Sequence, residues 1–365
     1  MFVYNTARYL LNMRGELIRT LRERGMKVSA IVPRDDAVPR LEAMGVAVFD
    51  WRLSGHGMNP FSEWMSYREL SRLIGQTGAD IVFSFTIKPV IYASVAAHRL
   101  GCRRVYSMVP GRGYLFGEAT ALQRLLRTAV APLYRRAPAR NRRVFFQNRD
   151  DRDYFVERRF IAAEQAVVID GSGVDTSRFS PRPGETVAES FLLIARLLKE
   201  KGIEDFVDAA RRLKARHPAA RFMVLGPLSA SPSAVAADTI RRWHDEGVIE
   251  YLGEADDVRP HLARAMVFVL PSWYGEGLPR TSLEALAMAK PVVTTDWPGC
   301  REAVVDGENG FLVPVRNAVA LADAMERFLL DPELAGRMGA ASRVLAERRF
   351  DVRRVNTAVI DEILA

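Results

Sequence analysis

The 365-residue sequence predicts an α/β protein of two Rossmann-like domains, with parallel sheets facing each other across a cleft. Three observations lead there. Short β-branched runs alternate with amphipathic helical stretches along the whole chain. The runs are continuously apolar, as strands covered on both faces must be. The series then restarts near position 190, after a Pro/Gly/Ser-rich stretch.

In chain order, the first-half strands are expected at Phe2–Asn5, Lys27–Val32, Val46–Asp50, Asp80–Phe85, Arg104–Met108, Arg143–Gln147 and Ala166–Asp170. Helical patterns such as Leu10–Arg24 and Phe61–Gly75 separate them. The second series runs through Ser190–Ala195, Arg221–Gly226, Val248–Leu252, Met266–Leu270, Pro291–Thr294 and Phe311–Val313. The stretch SRFSPRPGET, Ser177–Thr186, reads as the linker. Domains are therefore expected over 1–180 and 187–349. Residues 350–365 form a last amphipathic helix that packs back on the N-terminal domain.

With 48% hydrophobic and 26% charged residues, the composition is that of a folded globular protein. The two cysteines, Cys102 and Cys300, lie too far apart in sequence to suggest a CxxC site or a disulfide framework. No apolar run approaches the ~20 residues needed to cross a bilayer, and the N-terminus lacks the order of a signal peptide. A cytoplasmic protein is expected, peripheral on the cytosolic face of the inner membrane. The net charge of +8 is uneven: Ala119–Arg143 holds seven arginines and no acidic residue, interleaved with leucines. A solvated helix and basic linker would explain that stretch. An anionic membrane surface is the preferred partner, and no nucleic-acid motif accompanies the charge.

The most informative segment is SWYGEGLPRTSLEA, Ser272–Ala285, which opens at a strand's carboxyl end. Pro279 suits the first turn of a helix. The amides around Gly277, Leu278, Pro279 and Arg280 then form an anion site at the helix N-terminus, with Gly277 allowing close approach. Glu276 and Glu284 stand on either side, as acceptor-only carboxylates suited to sugar or ribose hydroxyls. A second strand end, Ser190–Ala195, runs into Arg196 and Lys201, a planar fork and a point charge suited to phosphate. The combination is informative where neither motif is alone.

On these residues the sequence resembles the retaining glycosyltransferases of family four, also called glycosyl transferases group 1, which have the GT-B fold. ARLLKEKG matches the family's G-R-L-x-x-x-K-G, with Ala195 in place of the usual Gly. EGLPRTSLEA matches its paired glutamates, and Lys290–Pro314 resembles the family's next stretch. The resemblance implies that Arg196 and Lys201 neutralise a leaving diphosphate, that Glu276 contacts the donor sugar and that Glu284 holds the ribose. It also implies that backbone near Glu254 and Ala255 meets the base. The N-terminal segments FSFTIKPVIYASVAAHRLG, MVPGRGYLFG, FFQNRDDRDYF and GSGVDTSRF resemble a branch acting on undecaprenyl-diphosphate-linked sugars in bacterial surface-glycan assembly. That branch implies a lipid-linked saccharide acceptor.

The sequence departs from the family in lacking both a Gly-rich turn after the first strand and a His within Arg104–Gly113. Arg14, Gly111 and Gly113 are candidates for those places, and Lys88 for an acceptor diphosphate or a snorkelling surface role. His56 is the one histidine in a plausible site loop. No metal-ligand spacing appears, and Asp150, Asp151, Asp256 and Asp257 read as helix caps. Neither a cofactor nor a metal is expected. The expected function is transfer of a hexosyl or N-acetylhexosaminyl unit from an NDP-sugar, UDP-sugar favoured, with retention. An NDP-sugar epimerase, a non-catalytic NDP-sugar-binding protein and a sugar phosphorylase are the alternatives.

Overall fold

The computed structural model describes all residues except 54–58, 112–135 and 230. His56, Gly113 and most of the basic stretch (119–135) therefore lie outside the described residues. The chain divides into two units: Met1–Ser172 with Arg353–Ala365, and Gly173–Val352.

The first unit carries strands β1 (Phe2–Val3), β2 (Ser29–Val32), β3 (Ala47–Asp50), β4 (Ile81–Phe85), β5 (Arg104–Val109), β6 (Arg143–Phe146) and β7 (Ala166–Val168). All pair in parallel, in the order β3-β2-β1-β4-β5-β6-β7. Its described helices are α1 (Ala7–Glu23), α2 (Val38–Ala43), α3 (Pro60–Thr77), α4 (Ile87–Arg99) and α5 (Arg149–Glu157). The second unit carries β8 (Ser190–Ile194), β9 (Arg221–Leu225), β10 (Glu250–Tyr251), β11 (Val267–Leu270), β12 (Val292–Thr295) and β13 (Gly310–Val313). These are also parallel, ordered β10-β9-β8-β11-β12-β13. Between and after them lie α6 (Ile203–Lys214), α7 (Ala237–Asp245), α8 (Arg259–Arg264), α9 (Arg280–Ala287), α10 (Ala318–Leu330), α11 (Pro332–Leu345) and α12 (Val352–Leu364).

Local chemistry accounts for these elements. Every residue of β8 is buried, and each large apolar side chain so placed contributes about 1.5–3 kcal/mol. Thr6 caps α1 by accepting from Tyr9 N at 3.0 Å. Asn59 and Pro60 start α3, and Gly78 ends it in the left-handed region, φ 56°. One cap differs from expectation. Asn148, not the aspartates, caps α5 by accepting from Asp151 N at 2.8 Å, while Asp150 and Asp151 occupy the first turn. Asp257 does accept from the backbone of α8, at Arg259 N, 3.0 Å away.

The division between units also differs from expectation, because the Pro/Gly/Ser-rich stretch belongs to the second unit. Val174 pairs with Asp351, Phe179 is buried in the core, and Val187 N donates to Arg264 O at 2.9 Å. Ser177–Thr186 is thus pinned at both ends, and the crossing falls at 172–173. Most of α12 belongs to the first unit: Val355, Val359, Ile360 and Ile363 join the core of Phe2, Leu17 and Phe83. Arg104 Nη2 and Tyr106 Oη fix its end by donating to Ile363 O at 2.7 and 3.2 Å.

Candidate active site

In each sheet the strand order reverses once, between β1 and β4 in the first unit and between β8 and β11 in the second. Such a reversal opens a crevice at the carboxyl ends of the two strands. In the second unit, both motifs singled out by sequence leave these two strands. Because β8 and β11 pair with Phe191 beside Val267, their loops emerge next to each other.

The loops are also tied together. Glu200 O accepts from Trp273 N at 2.9 Å and from Ser272 Oγ at 3.2 Å. Lys199–Lys201 form a single 3₁₀ turn that ends at Gly202, φ 73°. A Cβ on Gly202 would run into the Pro271 carbonyl, so glycine alone fits this contact. A third loop, after β12, braces the others. Thr295 Oγ1 donates to Ser272 O, and Trp297 Nε1 donates to Tyr274 O at 3.1 Å. Gly299, φ 83°, lies against the Glu276 and Gly277 carbonyls where a side chain would clash.

This bracing brings Lys201 and Glu276 into a direct ion pair, with side chains only 11% and 16% exposed. Burial, reinforced by Arg196, lowers the Lys201 ammonium to about 7. The Tyr274 ring lies under both cations, 6.0 Å from Arg196 Cζ and 5.2 Å from Lys201 Nζ. Arg196 itself is exposed.

Gly277, Leu278 and Pro279 are buried in the approach to α9. Pro279, with φ −62° and ψ 119°, stands just ahead of the helix rather than in its first turn, which begins at Arg280. Its extended ψ turns the chain out of the loop before the helix starts. In that first turn Ser282 Oγ is fully buried and makes no hydrogen bond. Glu284 is buried, and Arg280 Nε donates to its Oε1 at 2.9 Å. Burial raises the Glu284 carboxyl, with Arg280 opposing. Ala255 packs against the same apolar cluster as Leu278 and Leu283, while Glu254 is exposed beyond the edge strand β10.

The first-unit candidates are less closely assembled. Arg14 is buried, its guanidinium 5.3 Å from the Phe85 ring centroid and against Met108 Sδ. It is drawn into the core at the strand ends instead of reaching out from α1. Gly111 has φ 133°, beyond the end of β5. Lys88 does not snorkel: its Nζ is 2.8 Å from Glu63 Oε1, and Glu63 also accepts from Tyr92 Oη.

Several site residues were not anticipated. Tyr274, Ser282, Trp297 and Gly299 join the second-unit site. Asn5 and Thr86 each place a buried side-chain oxygen without a hydrogen bond just past β1 and β4, and Thr86 adopts φ 65°, costly for a β-branched residue. Only Arg280 on Glu284 could have been found from spacing, as an i,i+4 pair. Among the described residues no group of three His, Cys, Asp or Glu is placed to hold a metal ion. No described helix is long and apolar enough to cross a membrane.

The family described as "Glycosyl transferases group 1" matches residues 188–331, and the "Glycosyl transferase 4-like domain" matches residues 12–171. The chain belongs to glycosyltransferase family four. This glycosyltransferase is 25% identical to the N,N'-diacetylbacillosaminyl-diphospho-undecaprenol alpha-1,3-N-acetylgalactosaminyltransferase of Campylobacter jejuni, over 91% of its own length and 90% of that protein's. It is 33% identical to the putative colanic acid biosynthesis glycosyltransferase WcaL of Escherichia coli, over 53% of this chain and 49% of WcaL. In three dimensions it superposes on a glycosyltransferase from Rickettsia africae with a TM-score of 0.79 at 19% identity, covering 100% of this chain and 98% of that one. It superposes on Anabaena HepE, solved with UDP, with a TM-score of 0.77 at 20% identity, covering 99% and 98%. These likenesses establish the GT-B fold.

Proposed function

We propose that the enzyme moves a hexosyl or N-acetylhexosaminyl unit from a UDP-sugar to a hydroxyl of a polyprenyl-diphosphate-linked saccharide, with retention and without a metal ion. One observation carries the reading: the Lys201–Glu276 pair, flanked by Arg196, at the switch point beside the start of α9. The UDP-linked donor is supported by the fold shared with HepE, and the lipid-linked acceptor by the full-length similarity to the Campylobacter transferase.

In this assignment the donor diphosphate lies at the backbone N–H groups of Gly277, Leu278 and Arg280. Arg196 and Lys201 neutralise the charge that develops as the anomeric C–O bond breaks. The acceptor oxygen bonds to the anomeric carbon on the face the diphosphate leaves, and its proton passes to a departing phosphate oxygen. Glu276 does not serve as base, because its carboxylate is taken up by the contact with Lys201. It instead positions Lys201 and accepts from sugar hydroxyls. Glu284, steadied by Arg280, accepts from the ribose diol, and backbone at Glu254–Ala255 meets the base. In the first unit Lys88 contributes to acceptor phosphate contacts, exchanging Glu63 for phosphate, and Gly111 allows close backbone approach beyond β5.

Two outcomes test the reading. A thermal-shift panel should show the largest stabilisation with a UDP-sugar. Transfer of that sugar to membrane extract should be unchanged by EDTA. A GDP- or ADP-sugar preference, or turnover lost to chelator, contradicts it.

The low proton affinity of Lys201 also sets a pH dependence. A lysine whose pKa is lowered to about 7 loses its charge as pH rises through that value. UDP-sugar, whose diphosphate stays ionised, should therefore bind more weakly above pH 7, by up to about tenfold per pH unit. Lys201→Arg, which stays charged, should flatten the profile. Calorimetric titration across about pH 6–9, bracketing the Lys201 transition, checks this with both proteins. Parallel profiles would contradict it.

A further inference from the structure

Helix α3 has two apolar faces and packs only one of them. Ser66, Leu70, Leu73 and Ile74 point into the first unit. On the opposite side Phe61, Trp64 and Met65 are 68%, 48% and 49% exposed. At about 3.6 residues per turn, Phe61, Trp64, Met65, Arg68 and Arg72 fall within an arc of about 100°, centred opposite the buried side. The exposed stripe is therefore continuous along the helix, apolar at its start and basic further on.

We infer that this face of α3 seats the enzyme on an anionic lipid bilayer. The inference rests on the lipid-linked acceptor proposed above. Charge decides the occupant. An open groove of about 850 Å³ beside the stripe is lined by Arg52, Arg68 and Arg72, with Glu69 the one acidic residue among the described lining residues. Glu69 accepts from Arg52 N at 3.0 Å. The Arg68 guanidinium lies 4.8 Å from the Trp64 ring centroid, leaving an aromatic body beneath a cationic tip. Aromatic side chains settle at the headgroup level, and arginines beside them attract anionic headgroups.

Glu63 lies on the other side of α3, where its carboxylate carries Lys88 and Tyr92 of α4, so substitutions on the exposed stripe leave that ion pair in place.

The test uses the full chain with phosphatidylcholine vesicles, with and without phosphatidylglycerol. The parent should sediment with the anionic vesicles and weakly with the neutral ones. Phe61→Ser/Trp64→Ser should lower partition on anionic vesicles about tenfold, and Arg68→Gln/Arg72→Gln by a similar factor. All should transfer sugar equally well to a short-chain, water-soluble acceptor. A parent that binds no vesicle, or variants that bind as the parent does, would overturn the assignment. So would a change in oligomeric state without a change in vesicle binding, which would give the face to a second copy of the chain. Failure of all lipid-linked acceptors, by contrast, would remove the acceptor reading while vesicle binding still judged this surface.

Discussion

Lys201→Ala should lower sugar transfer about a thousandfold, the loss expected when a single charge-stabilising group is removed from an acyl- or phosphate-type transition state. Lys201 is the buried cation of the site, whereas Arg196 is exposed. The variant also leaves Glu276 largely buried beside no ammonium, so its melting temperature should fall. A double variant, Lys201→Met/Glu276→Gln, separates the two effects. Removing both charges should recover most of the lost stability and none of the turnover. Recovery of turnover in the double variant, or near-parental activity in Lys201→Ala, would contradict the role. Melting curves and initial rates on the same preparations give both readouts.

Gly202→Ala should be damaging although it removes no functional group. Its left-handed φ of 73° costs a non-glycine residue about 1–2 kcal/mol. The added Cβ would in addition strike the Pro271 carbonyl, which belongs to the neighbouring strand end. Relief of that clash moves either the Lys199–Lys201 turn or the Pro271–Glu276 loop, and a displacement of about 1 Å between reacting groups can cost about a hundredfold in rate. Gly247→Ala is the control: φ is 70° there, yet nothing lies within 4 Å of the added carbon. Both variants should lose stability, but only Gly202→Ala should lose transfer. Equal rates in the two would show that the contact with Pro271 does not position the site.

The sequence is most legible where the physics is local. Period, burial on both faces and strand length are properties of short runs of consecutive residues, and each expected strand is present within a few positions. Composition misreads Ser177–Thr186 as a linker because it reports turn tendency and not pairing. Whether Val174 finds Asp351, 177 residues later in the chain, is invisible in either segment. Lys88 and Arg14 are displaced from expectation for a related reason. Their chain positions at strand or helix ends are as expected, but the carboxylate of Glu63 and the ring of Phe85 that capture them come from other elements.

For the paired glutamates and the two cations, sequence by itself determined residue type and strand-end placement, because each motif is contiguous with the apolar run of its own strand. The tertiary structure decided which of them meet. Lys201 and Glu276 are 75 positions apart and are joined only because β8 and β11 pair at the reversal of the sheet. Gly202, Thr295, Trp297 and Gly299 then hold three loops in contact. Glu276 is thereby an ion-pair partner rather than a solitary carboxylate, and Lys201 a buried cation whose charge changes near neutrality. Burial and ion pairing depend on the packing of neighbours distant in the chain, and no local pattern specifies that.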